Sequence, residues 1–170
     1  KNSIQGDSDV ISFFNLLGVE TVFNGNKIIL KKHDKFPLPK FIKWNVLDTP
    51  DLALTYMVSC LGLGVNLKLT GVNALILKES NRLKVMKKEL EKFNVKVIIK
   101  DDFFFMDTSS RKLDVNFINT YFDHRVALAF SPLVIITKKM IIDDSNVVFK
   151  SYPKFWDDLK KIGVKISSND

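Results

Sequence analysis

The sequence holds a single cysteine, Cys60, which excludes an internal disulfide and fits a reducing, cytoplasmic setting. With only two histidines, His33 and His124, no metal-ligand spacing exists, and no metal is expected. Arginine is scarce: Arg82, Arg111 and Arg125 are three of 26 basic residues. Where a chain so rich in lysine keeps arginine, a planar two-pronged donor is expected to matter. Long apolar runs are missing too. The longest, residues 126–137, is interrupted by Ser131 and Pro132, so no membrane span is expected. No basic start leads into an apolar stretch and a small-residue cleavage site, so no secretory signal is read. A Walker-type glycine loop, a GxSxG elbow and a dinucleotide glycine fingerprint are all absent from the sequence.

What is present is globular composition: 170 residues, 46% hydrophobic and 26% charged. That length suits one ordinary domain or part of a larger one. The formal net charge of +7 will attract polyanions, acidic membranes or phosphorylated small molecules. The sequence opens on Lys1 rather than methionine, and residues 1–7 read as a loop, so a piece of a longer chain is expected.

An internal repeat organises the rest. Helix patterns end at Gly18, Asn94 and Gly163, each a residue suited to a left-handed helix stop. Hairpin signals follow at Asn24-Gly25 and, more weakly, at Asp101-Asp102. Alternation at Val65-Asn66-Leu67-Lys68-Leu69 predicts a strand, and Met140-Ile141-Ile142 sits at the corresponding place one repeat later. Two apolar helices are predicted over residues 50–61 and 124–137, the second kinked at Pro132. Two amphipathic helices are predicted over 80–93 and 152–162. The unit reads strand, helix, strand, helix, strand, strand. Two βαβαββ units, 35–107 and 108–170, follow a leading helix and hairpin at 7–32 in a single partial domain spanning 1–170. The fold class is α/β, with helices packed against sheets.

Polar residues recur on this repeat. Asp51 and Asp123 are 72 residues apart, each near the start of an apolar helix, and Lys78 and Lys150 are 72 apart, each before an amphipathic one. Helix starts carry unpaired N–H groups and partial positive charge, so an edge with several of them plus Lys and Arg is a natural phosphate receptor. Singly, the aspartates read as helix-start carboxylates and the lysines as solvated; the shared offset favours a common edge. In Lys78-Glu79-Ser80-Asn81-Arg82, the arginine in a first helical turn opposes the helix dipole. Either a bound anion relieves that conflict, or Glu79 pairs with Arg82 at i,i+3 spacing. In Asp123-His124-Arg125, an acid, an imidazole and a guanidinium open an otherwise apolar helix, so they are expected to face a cleft. His33 reads as solvated loop, and Ser151 as an N-cap before Pro153. Ser3, Gln5 and Gly6 read as lining a loop.

Lys78-Glu79-Ser80-Asn81-Arg82-Leu83, Asp123-His124-Arg125-Val126-Ala127-Leu128 and Lys150-Ser151-Tyr152-Pro153 together resemble the C-terminal part of the 5-enolpyruvylshikimate-3-phosphate synthase family. Asn2-Ser3-Ile4-Gln5-Gly6-Asp7 and Pro50-Asp51 fall in family order. The resemblance implies a fold of two similar domains, each with three βαβαββ units, of which this chain holds the last two. It implies transfer of the enolpyruvyl group of phosphoenolpyruvate to the 5-hydroxyl of shikimate 3-phosphate with release of phosphate, a step of the shikimate pathway toward chorismate and the aromatic amino acids. It implies no organic cofactor, and glyphosate as an inhibitor of the intact enzyme. By resemblance, Asp51 is the proton acceptor near the attacking hydroxyl and Glu79 serves proton transfer at the enolpyruvyl methylene. Lys78 contacts shikimate 3-phosphate, and Arg82, Arg125 and Lys150 hold phosphoenolpyruvate. Asp123 and His124 shape the site.

Two departures stand out: Asn81 replaces the family's usual Asp, which puts the orientation of Arg82 in question, and Val126 replaces the common Met. The missing N-terminal half supplies much of the shikimate 3-phosphate pocket in the family, so the chain alone is expected to be inactive. Competing readings are an enolpyruvyl transferase acting on a UDP-sugar, a basic module binding nucleic acid or another polyanion, and a decayed non-catalytic remnant. The Asp-His-Arg segment disfavours the first. The second finds scattered lysines and no nucleic-acid motif.

Overall fold

The computed structural model describes residues 6–33 and 35–167. The stretch 2–5, including Ser3 and Gln5, lies outside the described residues. The chain is α/β, as the alternating periodicities predict. A short helix α1 (Val10–Asn15) is followed by the hairpin β1 (Val19–Asn24) and β2 (Lys27–Lys32). Then come β3 (Phe41–Asn45), α2 (Ala53–Leu63), β4 (Asn66–Thr70), α3 (Arg82–Glu91), β5 (Lys96–Lys100) and β6 (Phe103–Asp107). The chain continues through β7 (Phe117–Ile118), α4 (His124–Phe130), α5 (Val134–Thr137), β8 (Ile141–Ile142) and α6 (Phe155–Lys161).

Strands β3 to β6 form one sheet in the order β3-β4-β6-β5, with β3 and β4 parallel and the other neighbours antiparallel. Alternation explains its faces: Leu67 and Leu69 of β4, Val97 of β5, and Phe104 and Met106 of β6 are buried. Helix α2 is apolar almost all round, and Leu54, Tyr56, Met57, Cys60 and Leu61 are fully enclosed. Each such large side chain contributes about 1.5–3 kcal/mol by leaving water. Burial also pushes the Cys60 thiol up to about 12, so it stays protonated at neutral pH. The Phe13 ring of α1 stacks on Tyr56 with centroids 3.8 Å apart, fixing the leading helix to the core.

Gly18 (φ 83), Asn94 (φ 58) and Gly163 (φ 97) all adopt the left-handed conformation predicted for helix stops. Pro132 sits in a 3-10 turn, Ser131–Leu133, that breaks the second apolar helix into α4 and α5. The first hairpin turns one residue later than its Asn24-Gly25 signal suggests. Asn24 pairs with Lys27, and Gly25 (φ 57) takes the first loop position, where a two-residue II′ turn requires glycine.

The region after β6 is thinner. β7 and β8 are two residues each, parallel to one another, and outside the four-stranded sheet. Val164, Lys165 and Ile166 form no strand; the Val164 N–H instead turns back to the Leu159 carbonyl at 3.1 Å as a helix-end bond. The predicted amphipathic helices also start later than the sequence suggests. α3 begins at Arg82 with Asn81 as its cap. α6 begins at Phe155, because Pro153 and the turn before it delay the first helical bond, so Ser151 is not the cap.

Candidate active site

Four short backbone devices bring the polar segments to one edge. A 3-10 turn, Pro50–Leu52, carries Asp51 into α2, and Asp123 is the N-cap of α4. Two further 3-10 turns, Asn73–Leu77 and Asn146–Lys150, deliver Lys78 and Lys150. The structure brings all eight residues singled out in the sequence into this neighbourhood.

Asp51 is the hub. Its Oδ1 lies 3.3 Å from Lys78 Nζ and 3.0 Å from Arg82 Nη1, and its Oδ2 lies 2.9 Å from Arg125 Nη2. Arg125 Nη1 also donates to the Asp51 carbonyl at 3.1 Å. Behind this hub Arg82 grips Asp123 with two prongs, Nε to Oδ2 at 2.8 Å and Nη2 to Oδ1 at 3.2 Å. Asp123 also accepts from the Ser80 hydroxyl at 2.9 Å and from the Arg125 N–H at 3.0 Å. On the other side Glu79 meets His124 Nδ1 at 2.9 Å and the Lys150 ammonium.

Burial separates these groups. The side chain of Asp123 is 0% exposed and that of Arg82 2%, whereas that of Asp51 is 36% exposed. Lys78 and Arg125 are partly exposed and Lys150 is open to solvent. Burial by itself would push all three carboxyls up. In Asp51 the Arg125 charge and the Lys78 hydrogen bond outweigh it, and the carboxyl is held below its ordinary value. In Asp123 the Arg82 hydrogen bond and charge do the same, and in Glu79 the Lys150 and His124 contacts do. All three are carboxylates at neutral pH.

This arrangement decides the two readings of Arg82. It does not pair with Glu79 at i,i+3, and the dipole conflict at the start of α3 is relieved by Asp51 and Asp123 rather than by an open anion site. Asn81 leaves that orientation intact, since its side-chain Oδ1 accepts the Lys84 N–H at 3.1 Å and caps α3, while Asp123 and Asp51 aim the guanidinium. Ser80 was legible only as part of a motif; its bond to a residue 43 positions away has no local signature.

Ligand atoms of Glu79, Asp123 and His124 lie within 4.8 Å of one another. Their oxygens are already engaged by Arg82, Ser80 and Lys150, so this donor set does not suit a metal cation. Four cations surround three carboxylates here, and the surplus positive charge faces the exposed side, at Lys150 and Arg125. Such a half-charged edge suits a small polyanion.

The family model for EPSP synthase (3-phosphoshikimate 1-carboxyvinyltransferase) matches residues 1–159. The chain belongs to the EPSP synthase family. A 3-phosphoshikimate 1-carboxyvinyltransferase of Bacteroides fragilis is 37% identical over 168 residues, which cover 98% of this chain and 40% of that relative. Proteins of the same name from Methanococcus aeolicus and Saccharolobus islandicus are 33% and 29% identical, over 98% and 95% of this chain and 38% of each relative. The chain therefore spans about two fifths of the length of the curated relatives it matches. Among the described residues no helix is long and apolar enough to cross a membrane.

Proposed function

We propose that this chain carries one half of an enolpyruvyl-transfer site, which with the remainder of the enzyme moves the enolpyruvyl group of phosphoenolpyruvate onto the 5-hydroxyl of shikimate 3-phosphate and releases phosphate. The observation that carries this reading is the Asp51 hub: a partly exposed carboxylate with Lys78, Arg82 and Arg125 on its two oxygens. In the addition step the attacking hydroxyl must lose a proton while the methylene carbon gains one; in the elimination that follows, the resulting methyl gives a proton back to a base as phosphate leaves and the double bond re-forms. Asp51, ionised at neutral pH, takes the first. Glu79 is ionised as well, so it delivers a proton to the methylene only after receiving one; His124 and Lys150 are the groups in contact with it.

The phosphate and carboxylate of phosphoenolpyruvate call for two-pronged arginines and a lysine. Arg125 and Lys150 present them directly. Arg82, buried with its Nη1 on Asp51, acts from behind by holding Asp51 and Asp123 in place, and Lys78 meets shikimate 3-phosphate. Because the chain covers two fifths of its relatives, it does not turn over alone in this reading; the missing part closes the site and excludes water. Glyphosate, with its own phosphonate and carboxylate, competes at the same cations.

The test is an NMR titration of the chain with phosphoenolpyruvate at low and moderate salt, with Arg125→Ala as control. The reading expects saturable shifts clustered at Arg82, Arg125 and Lys150 that vanish in the variant. Diffuse shifts over surface lysines, steeply salt-dependent and unchanged in the variant, sink it in favour of general polyanion binding. No shifts at all point to a non-catalytic remnant. If the site binds, phosphate release upon adding the remaining part of the enzyme completes the test.

A further inference from the structure

The segment that delivers Asp123, His124 and Arg125 runs through two consecutive left-handed residues that are not glycine, Tyr121 (φ 54) and Phe122 (φ 59). That conformation is unfavourable for L side chains and persists only where the surroundings over-determine it. Phe122 is not the anchor, for it is 86% exposed. Tyr121 is: its hydroxyl donates to Glu89 Oε1 at 2.7 Å. Glu89 is 0% exposed, and its other oxygen accepts the Asn119 N–H at 3.2 Å and the Lys92 ammonium. Asp143 secures the residue between, accepting the Thr120 N–H at 2.8 Å.

Glu89 and Arg82 lie on the same helix, α3, two turns apart. Both hold the one segment, Glu89 at Asn119 and Tyr121 and Arg82 at Asp123. We propose that Glu89 is a positioning residue: by holding Tyr121 it locks the left-handed turn at 121–122 and so sets where the Arg125 guanidinium meets Asp51. If the Tyr121 anchor is released, the turn relaxes toward ordinary backbone while the Arg82–Asp123 bond acts as a pivot. Arg125, two residues past the pivot, then moves. Among the described residues Glu89 bonds to Asn119, Tyr121 and Lys92, none of which is a residue that would contact substrate. It acts through the turn, and its consequence for phosphoenolpyruvate rests on the function proposed above.

The test uses Tyr121→Phe, which keeps the ring and removes the hydroxyl, and Glu89→Gln, with Val97→Ala in β5 as a control for stability loss elsewhere. Three quantities are read in each: the denaturation midpoint, the Arg125 side-chain Nε–H resonance, and the dissociation constant for phosphoenolpyruvate. The inference expects Tyr121→Phe and Glu89→Gln to shift the Arg125 resonance and to weaken binding about tenfold or more, the scale on which small misplacements act. Val97→Ala is expected to lose stability with neither effect. Should Glu89→Gln fail to fold, Tyr121→Phe decides alone. Tyr121→Phe with an unmoved Arg125 resonance and unchanged affinity, whatever its stability, overturns the inference. A wild-type chain that does not bind phosphoenolpyruvate overturns the proposed function instead, and the Arg125 resonance still decides the positioning role.

Discussion

Asp51 and Asp123 occupy the same place in two successive stretches of this chain, 72 residues apart at the start of an apolar helix, and they do opposite work. Asp51 stands partly in solvent with three cations around it, while Asp123 is sealed in, bonded to Arg82, Ser80 and the backbone of its own helix. Two positions on, the difference repeats: Ala53 is buried in the core, whereas Arg125 reaches across to Asp51. The surrounding frames differ as well. Among the described residues, the first stretch holds a four-stranded sheet and the second two strands of two residues each. A repeated scaffold thus supplies two equivalent carboxylates, and burial seals one against Arg82 while the other stays partly exposed among three cations.

The comparison breaks or sharpens under substitution. Asp123→Ala strands the buried Arg82 charge and is expected to cost about 3–5 kcal/mol of folding stability by chemical denaturation. A loss as small as that of an exposed residue would show that Asp123 is no anchor. Acid comes next. Asp51, Glu79 and Asp123 all have folded values below the ordinary 3.8 of Asp or 4.5 of Glu. The unfolded chain therefore binds more protons in that range, and stability rises with pH there. Their contribution is complete above the ordinary values and disappears as pH falls through the lowered folded ones. Denaturation midpoints should drop between about pH 5 and pH 3, less steeply in Asp123→Asn.

Asp51→Ala is expected to cost less stability than Asp123→Ala, since its pairs with Lys78 and Arg125 are solvent-screened and Arg82 keeps both bonds to Asp123, yet to abolish transfer in the completed enzyme. A stability loss matching that of Asp123→Ala would erase the division of labour. The smallest effect belongs to Asn81→Asp, which installs the residue that the family resemblance implies. Both side chains cap a helix well, so stability should stay within about 0.5 kcal/mol. A marked change in phosphoenolpyruvate affinity would show that residue 81 reaches the site in a way its bond to Lys84 does not suggest.

Much of the fold was legible because its signals are local. The left-handed stops at Gly18, Asn94 and Gly163, the apolar character of α2 and the break at Pro132 each follow from one residue's backbone preference or from periodicity. The misreadings were local contests lost to geometry. Gly25 took the first turn position in the hairpin, and Pro153 delayed α6 beyond Ser151. Asp51, Asp123, Lys78 and Lys150 were legible by their common offset, because a repeat shows itself in spacing, whereas Glu79, Arg82, His124 and Arg125 came from their motifs and the family resemblance.

What the sequence determined by itself is therefore the α/β alternation, the shared edge and the membership of the cluster. What only the tertiary structure decided is who pairs with whom and who is buried. Arg82 bonds Asp123 across 41 residues rather than Glu79 across three, and Glu89 reaches Tyr121 across 32. The reason is physical. Periodicity and capping depend on neighbours along the chain. Desolvation, and with it the strength of every charge pair, depends on which distant segments pack overhead.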